Sequence, residues 1–172
     1  KLEVTDNLDG TDQYIQDIYV QFNILDIEKY KNILISEILP NPEGNDAESE
    51  FIEIHNKGEE EIELMGCSID DGEGGSYPHV FEQELKILPK EYLVLQRLET
   101  NISLNNDYDS VKFLNPLNEV VHEVFYDDVL SEQSYALDEK QNWFWTTVVT
   151  PVKKNIFQKK QNTKNIKGVT NI

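Results

Sequence analysis

The densest gathering of chemistry-bearing side chains is Asp70-Asp71-Gly72-Glu73-Gly74-Gly75, three carboxylates on a glycine-rich backbone. Carboxylate oxygens on a flexible loop are what Ca²⁺ takes as ligands, so Asp70, Asp71 and Glu73 are a calcium candidate. The alternating spacing of an EF-hand loop is missing, and the competing reading is an acidic loop facing solvent. Asp6-Asn7-Leu8-Asp9-Gly10 has Thr5 where such a loop's first carboxylate belongs and Gln16 where its last belongs, and it reads as a hairpin turn. Asn45-Asp46-Ala47-Glu48-Ser49-Glu50 is a third acidic loop. The histidines are His55 and His122 on alternating segments and His79 after Pro78, too scattered for a metal or proton-relay cluster. The single cysteine, Cys67, has no basic neighbour within five residues and lies in an apolar segment, the setting of an inert thiol. Neither H-E-x-x-H, nor G-x-S-x-G, nor a glycine loop that cradles phosphate occurs. Carboxylates are so numerous that no pair stands out as an acid–base couple. The expectation is a protein that is not an enzyme and needs no cofactor other than the candidate calcium.

Charge narrows the partners. The chain has 172 residues and a net charge of -18, with 33 acidic side chains against 15 basic ones. The excess is concentrated in residues 33–151, with 26 acids and 6 bases, whereas residues 152–172 carry six lysines and no acid. The acidic body repels a phosphate backbone, so tight nucleic-acid binding by that surface is not expected. The basic tail reads as a solvated linker; a polyanion contact and a fold-back onto the acidic body are its other readings. No apolar run is long enough for a membrane-spanning helix. The opening Lys1-Leu2-Glu3-Val4-Thr5 already reads as strand, and the expectation is an excised or processed piece.

The elements that must position these residues are strands. Apolar and polar residues alternate in Ile18–Phe22, Phe51–His55 and Val120–Phe125, and Ile33–Ile35 and Tyr92–Leu95 are short apolar runs. Turn residues interrupt them about every ten positions: Pro40-Asn41-Pro42, Asn56-Lys57-Gly58, Asp71-Gly72, Leu88-Pro89, Asn105-Asn106, Asn115-Pro116 and Thr150-Pro151. Short strands at even spacing predict an all-β sandwich or barrel. Four regions follow: 1–25, a strand pair too small to bury its own core; 26–32, a polar joint with room for one helical turn; 33–155, a complete sandwich; and 156–172, the basic tail. Glu50 and Glu53 alternate with Ile52 and Ile54, which predicts one buried face and one wet face.

Ile35-Ser36-Glu37-Ile38-Leu39-Pro40-Asn41-Pro42, then Glu50-Phe51-Ile52-Glu53-Ile54-His55-Asn56, resemble the opening of the lamin tail domain. Further matches follow in order: Ile62–Gly66, Ile69–Gly72, Leu88-Pro89 with Tyr92–Leu95, Leu104–Asn106 with Asp109–Phe113, Glu123–Tyr126, Trp143–Trp145, and Thr150-Pro151 with Asn155. The resemblance covers about 120 residues and implies an immunoglobulin-like β-sandwich of prokaryotic type. Where relatives often carry glycine, this chain has Lys90, Asn118 and Val152. Asn118 tolerates a left-handed backbone, while Lys90 and Val152 predict ordinary dihedrals. Cys67, where an aromatic is common, predicts a smaller core filler. Residues Leu2 to Val20 resemble the end of a PKD or immunoglobulin-like repeat.

The resemblance implies a non-catalytic module for protein interaction or spacing in a larger secreted or cell-surface prokaryotic protein, with a protein or cell-surface partner. High acidity favours a soluble monomer. The alternatives are an accessory domain of a secreted hydrolase or nuclease, and a chromatin-contacting lamin-like protein, against which the acidic body argues.

Overall fold

A computed structural model describes residues 27–72 and 74–157. The strand pair expected within 1–25 and the tail from residue 158 onward lie outside the described residues. A 3₁₀ turn, Lys29–Asn32, leads into eleven strands: β1 (Ile33–Leu39), β2 (Phe51–Asn56), β3 (Ile62–Glu63), β4 (Ser68–Asp71), β5 (His79–Val80), β6 (Lys86–Ile87), β7 (Tyr92–Gln96), β8 (Asp109–Leu114), β9 (Val120–Tyr126), β10 (Ser134–Leu137) and β11 (Trp143–Thr146). Single helical turns occur at Asp46–Ser49 and Arg97–Thr100.

One sheet has the order β11-β10-β1-β2-β7 and the other β5-β4-β8-β9, with β3-β6 a separate ribbon. All pairings are antiparallel. β1 faces β8 and β9 across the interior. The fold is an immunoglobulin-like β-sandwich. Its core joins Ile33, Ile35, Ile38, Ile52 and Ile54 of the first sheet to Ile69, Val111, Phe113 and Val124 of the second. Cys67 is fully buried among them, a small filler as its place in the pattern predicts.

Strict alternation along β1 would send Ile33, Ile35 and Glu37 inward together. A register shift between Ile35 and Glu37 prevents this, leaving Ser36 as the extra residue of a β-bulge. The extra residue resets the parity. Ile35 pairs with Ile54 and Ile38 with Ile52 on the core side, while Glu37 pairs with Glu53 on the opposite face.

That opposite face is not wet. Every residue of β1 is buried, and Glu37 and Glu53 are 0% exposed. Glu50, just before β2, is also buried, but against Arg97 and Leu104 rather than on this face. The expectation of a solvated face fails because the chain following β11 returns across it. Thr150 and Val152 both hydrogen-bond to carboxylates of β1 and β2.

The turns hold a second correction. Lys90 and Val152 have φ of 63° and 57°, in the left-handed region rather than the ordinary one expected of them. Each follows a proline in a four-residue turn, Leu88-Pro89-Lys90-Glu91 or Thr150-Pro151-Val152-Lys153, closed by the amide of the fourth residue on the carbonyl of the first. Proline at the second position sets up a turn whose third residue takes positive φ. Asn118, at φ 62°, adopts the left-handed backbone its side chain tolerates.

Candidate functional site: a buried carboxylate clasp and an open aromatic cleft

Glu37 and Glu53 face each other on β1 and β2, both fully buried. The Ser134 hydroxyl on β10 donates to Glu37 Oε1. The Thr150 amide donates to both Glu37 oxygens at 3.1 Å, and the Thr150 hydroxyl lies 3.1 Å from Oε2. Glu53 Oε1 accepts from the Ser36 hydroxyl at 2.7 Å and Oε2 from the Val152 amide at 2.6 Å. Asn155 completes the clasp by donating from Nδ2 to the carbonyls of Ser36 (2.7 Å) and Leu137 (3.0 Å). Residues 150–155 are thus a strap fastened across the sheet by two carboxylates and one amide.

Burial first, then the negative charge of Glu37, pushes Glu53 up to about 7; hydrogen bonds from Ser36 and Val152 oppose the rise. Burial also raises Glu37, against donors from Ser134 and Thr150. Two facing carboxyls with raised pKa values would suit acid–base chemistry if a substrate reached them. Neither has exposed surface, and their oxygens already receive donors from the fold. The pair holds the backbone.

Asn56, the last residue of the Phe51–Asn56 motif, works similarly. Its Nδ2 donates to the carbonyls of Glu60 and Ile87, and its Oδ1 accepts the Gly58 amide. Glu50 Oε2 accepts from Arg97 at 3.1 Å and the Leu104 amide at 3.3 Å, while Oε1 has no partner among the described residues. Burial lifts Glu50 to about 7 although the Arg97 charge opposes it.

The calcium candidates are placed as follows. Asp70 and Asp71 are consecutive on β4 and point to opposite faces of the sheet. The buried Asp71 carboxylate accepts the Ser76 amide at 2.8 and 2.9 Å, closing the 72–76 loop. Gly75 passes so close that a Cβ there would lie 2.5 Å from Asp71 Oδ1. Asp70 pairs in register with Lys112 and is raised by burial and then by Asp71. Glu73 lies outside the described residues. Among the described residues, no group of three or more His, Cys, Asp or Glu is arranged to hold a metal.

The histidines occupy three separate settings. His55 stacks on Tyr92 at 4.1 Å, His79 meets Phe81 edge-on, and His122 Nδ1 accepts the Ile35 amide at 3.2 Å. Burial lowers the pKa of both His55 and His122. Burial pushes the Cys67 thiol up to about 12, far from a reactive thiolate.

An open cleft of about 850 Å³ lies at the end of the second sheet, lined among others by Asn105, Tyr108, Asp109, Phe125, Tyr126 and Asp127. Tyr108 and Phe125 are 70% and 68% exposed, large apolar surface left in water. Asp109 builds the floor: Oδ1 accepts the Gly72 and Ser110 amides and Oδ2 the Asn105 amide. The Tyr126 hydroxyl donates to the Asn105 carbonyl. Its acidity is suppressed by burial first, then by Asp109, Glu50, Asp71 and Asp107 around it. Sequence reading missed this cleft because its walls come from segments tens of residues apart.

The fold and the clasp together define an immunoglobulin-like domain whose convergent acids serve its own backbone. The chain belongs to the lamin tail domain family, whose model matches residues 28–128. That family is not known as catalytic. No curated protein matches the chain. The matched span ends before β10, β11 and the strap, which the structure adds to it. No described helix is long and apolar enough to cross a membrane.

Proposed function

We propose that this chain is a protein-interaction module of a larger secreted or cell-surface prokaryotic protein, presenting its open cleft to a partner. One contrast carries the reading. Glu37, Glu53, Asp71 and Asp109, four of the carboxylates that converge with other polar groups, are satisfied by the fold's own donors. Two large aromatic side chains, Tyr108 and Phe125, are instead left exposed beside a cleft. Exposed apolar surface rimmed by polar groups is the usual mark of an interaction site. The acidity of residues 33–151 supports a protein or cell-surface partner over nucleic acid.

Labelling intact source cells with a membrane-impermeant amine reagent tests the location. Modification of the parent protein on unbroken cells is expected. Modification only after lysis would overturn the surface assignment.

A further inference from the structure

We propose that the aromatic cleft binds a basic segment of a partner protein, one arginine or lysine side chain lying over Tyr108 and Phe125 with its charged head at Asp127. The proposal rests on reading the cleft as the interaction surface and names the chemistry of what enters it.

The first argument is charge. The cleft lining includes Asp109 and Asp127 and no basic side chain. Asp107 and Asp128, next to lining residues in sequence, are exposed like Asp127. None of these three exposed aspartates forms an ion pair among the described residues. Asp109 differs, because the amides of Gly72, Asn105 and Ser110 already occupy it. The acids are felt at the cleft wall, where the Tyr126 hydroxyl loses acidity to burial first and then to Asp109, Glu50, Asp71 and Asp107. A phosphate or an anionic glycan meets repulsion there, and a cation meets attraction.

The second argument is the pair of rings. Tyr108 and Phe125 are both more than two-thirds exposed, at 70% and 68%. Among the described residues, neither ring stacks on another or carries a cation. The β8–β9 ladder pairs Ser110 with Phe125 and Asp109 with Tyr126, and the residues that follow at its end are Tyr108 and Asp127. Register therefore gathers two bare rings and a free carboxylate at one end of the sheet. A guanidinium or ammonium group there gains a cation–π contact and a charge contact together, while its apolar stem covers ring surface.

The test titrates the isotopically labelled full chain with a peptide of about nine residues alternating arginine and glycine, in about 50 mM salt. Saturable amide shifts are expected at Tyr108, Ser110, Phe125 and Asp127, and none with glutamine in place of arginine. Tyr108→Ala with Phe125→Ala changes no charge and should weaken binding at least about fivefold, with the native amide spectrum retained elsewhere. Asp127→Asn alone, at an exposed position, should weaken it about threefold. Glu82 and Glu84 are exposed and line no part of this cleft, so Glu82→Gln with Glu84→Gln should change the affinity less than about twofold. Shifts spread over exposed acids of the whole surface, or equal weakening by the aromatic and glutamate pairs, would overturn the proposal as diffuse charge attraction. Shifts of the cleft amides with neutral maltohexaose and none with the basic peptide would keep the cleft as an interaction surface and overturn its occupant. Shifts of those amides on concentrating the protein alone would seat a second copy there and overturn the proposal as well. None of these outcomes depends on where the parent protein resides.

Discussion

Glu37 and Glu53 look at first like an acid–base pair and prove to be fasteners, and substitution separates the roles. Glu37→Ala leaves the Ser134 hydroxyl and the Thr150 amide without their acceptor inside a dry site. We expect a loss of about 3–5 kcal/mol in urea unfolding. Glu53→Gln keeps an acceptor for Val152, turns an amide donor toward the Ser36 hydroxyl in place of the oxygen that accepted from it, and removes a charge facing Glu37. It should cost less than about 1 kcal/mol at pH 8. Equal losses in the two variants would show that the carboxylates are not used as the geometry says. Val152 is β-branched at φ 57° and 58% exposed, so little packing is lost on substitution. Relief of left-handed strain outweighs the added freedom of the unfolded chain, and Val152→Gly should stabilise by about 1 kcal/mol. A lower melting temperature would contradict the strain.

At the scale of elements, much was legible. Even spacing of turn residues pointed to the all-β sandwich, and the ordered motifs placed Ser36-Glu37, Glu53 and Asn56 within one family pattern, whose model covers them; Thr150 and Asn155 lie past the matched span. What these residues do was hidden, because the strap's contacts with Glu37, Glu53 and Ser36 join residues 99 to 119 apart. Alternation tells which face of β2 is apolar; it does not tell that a distant strap covers the other. The bulge was hidden for a related reason, since one extra residue changes register without changing composition. Lys90 and Val152 were misjudged by residue type alone, although the preceding Pro89 and Pro151 carried the turn signal. The bulge is testable by length. Deleting Ser36 leaves Ile35, Glu37 and Ile38 in regular alternation opposite Ile54, Glu53 and Ile52. The variant should still unfold cooperatively, weakened by the loss of the Ser36 hydroxyl on Glu53. Loss of cooperative unfolding in the deletion variant would show that Ser36 is not the extra residue of the strand.

For the whole molecule, the buried acids and buried histidines pull in opposite directions with pH. Glu37, Glu50 and Glu53 are raised from 4.5, the last two to about 7, so the native chain holds more protons than the unfolded chain between those values. Their stabilising contribution is full at low pH and is lost as pH rises through that window. His55 and His122 are lowered from 6.5, and their contribution is lost as pH falls through that value. Three carboxyls against two imidazoles, together with a net charge of -18 that acid partly neutralises, favour the acidic side. The melting temperature should peak between about pH 5 and pH 6 and fall toward pH 8. A maximum at pH 8 would mean that the buried acids are ionised without penalty.

The central claim is that the family's motif acids hold the strap against the sheet, and native-state hydrogen exchange reads this directly. The amides of Thr150 and Val152, which donate to Glu37 and Glu53, are predicted to exchange as slowly as those of β1 and β2, through global unfolding alone. Exchange at the rate of an open loop, with β1 and β2 still protected, would contradict the account and return the two carboxyls to the list of groups free for chemistry.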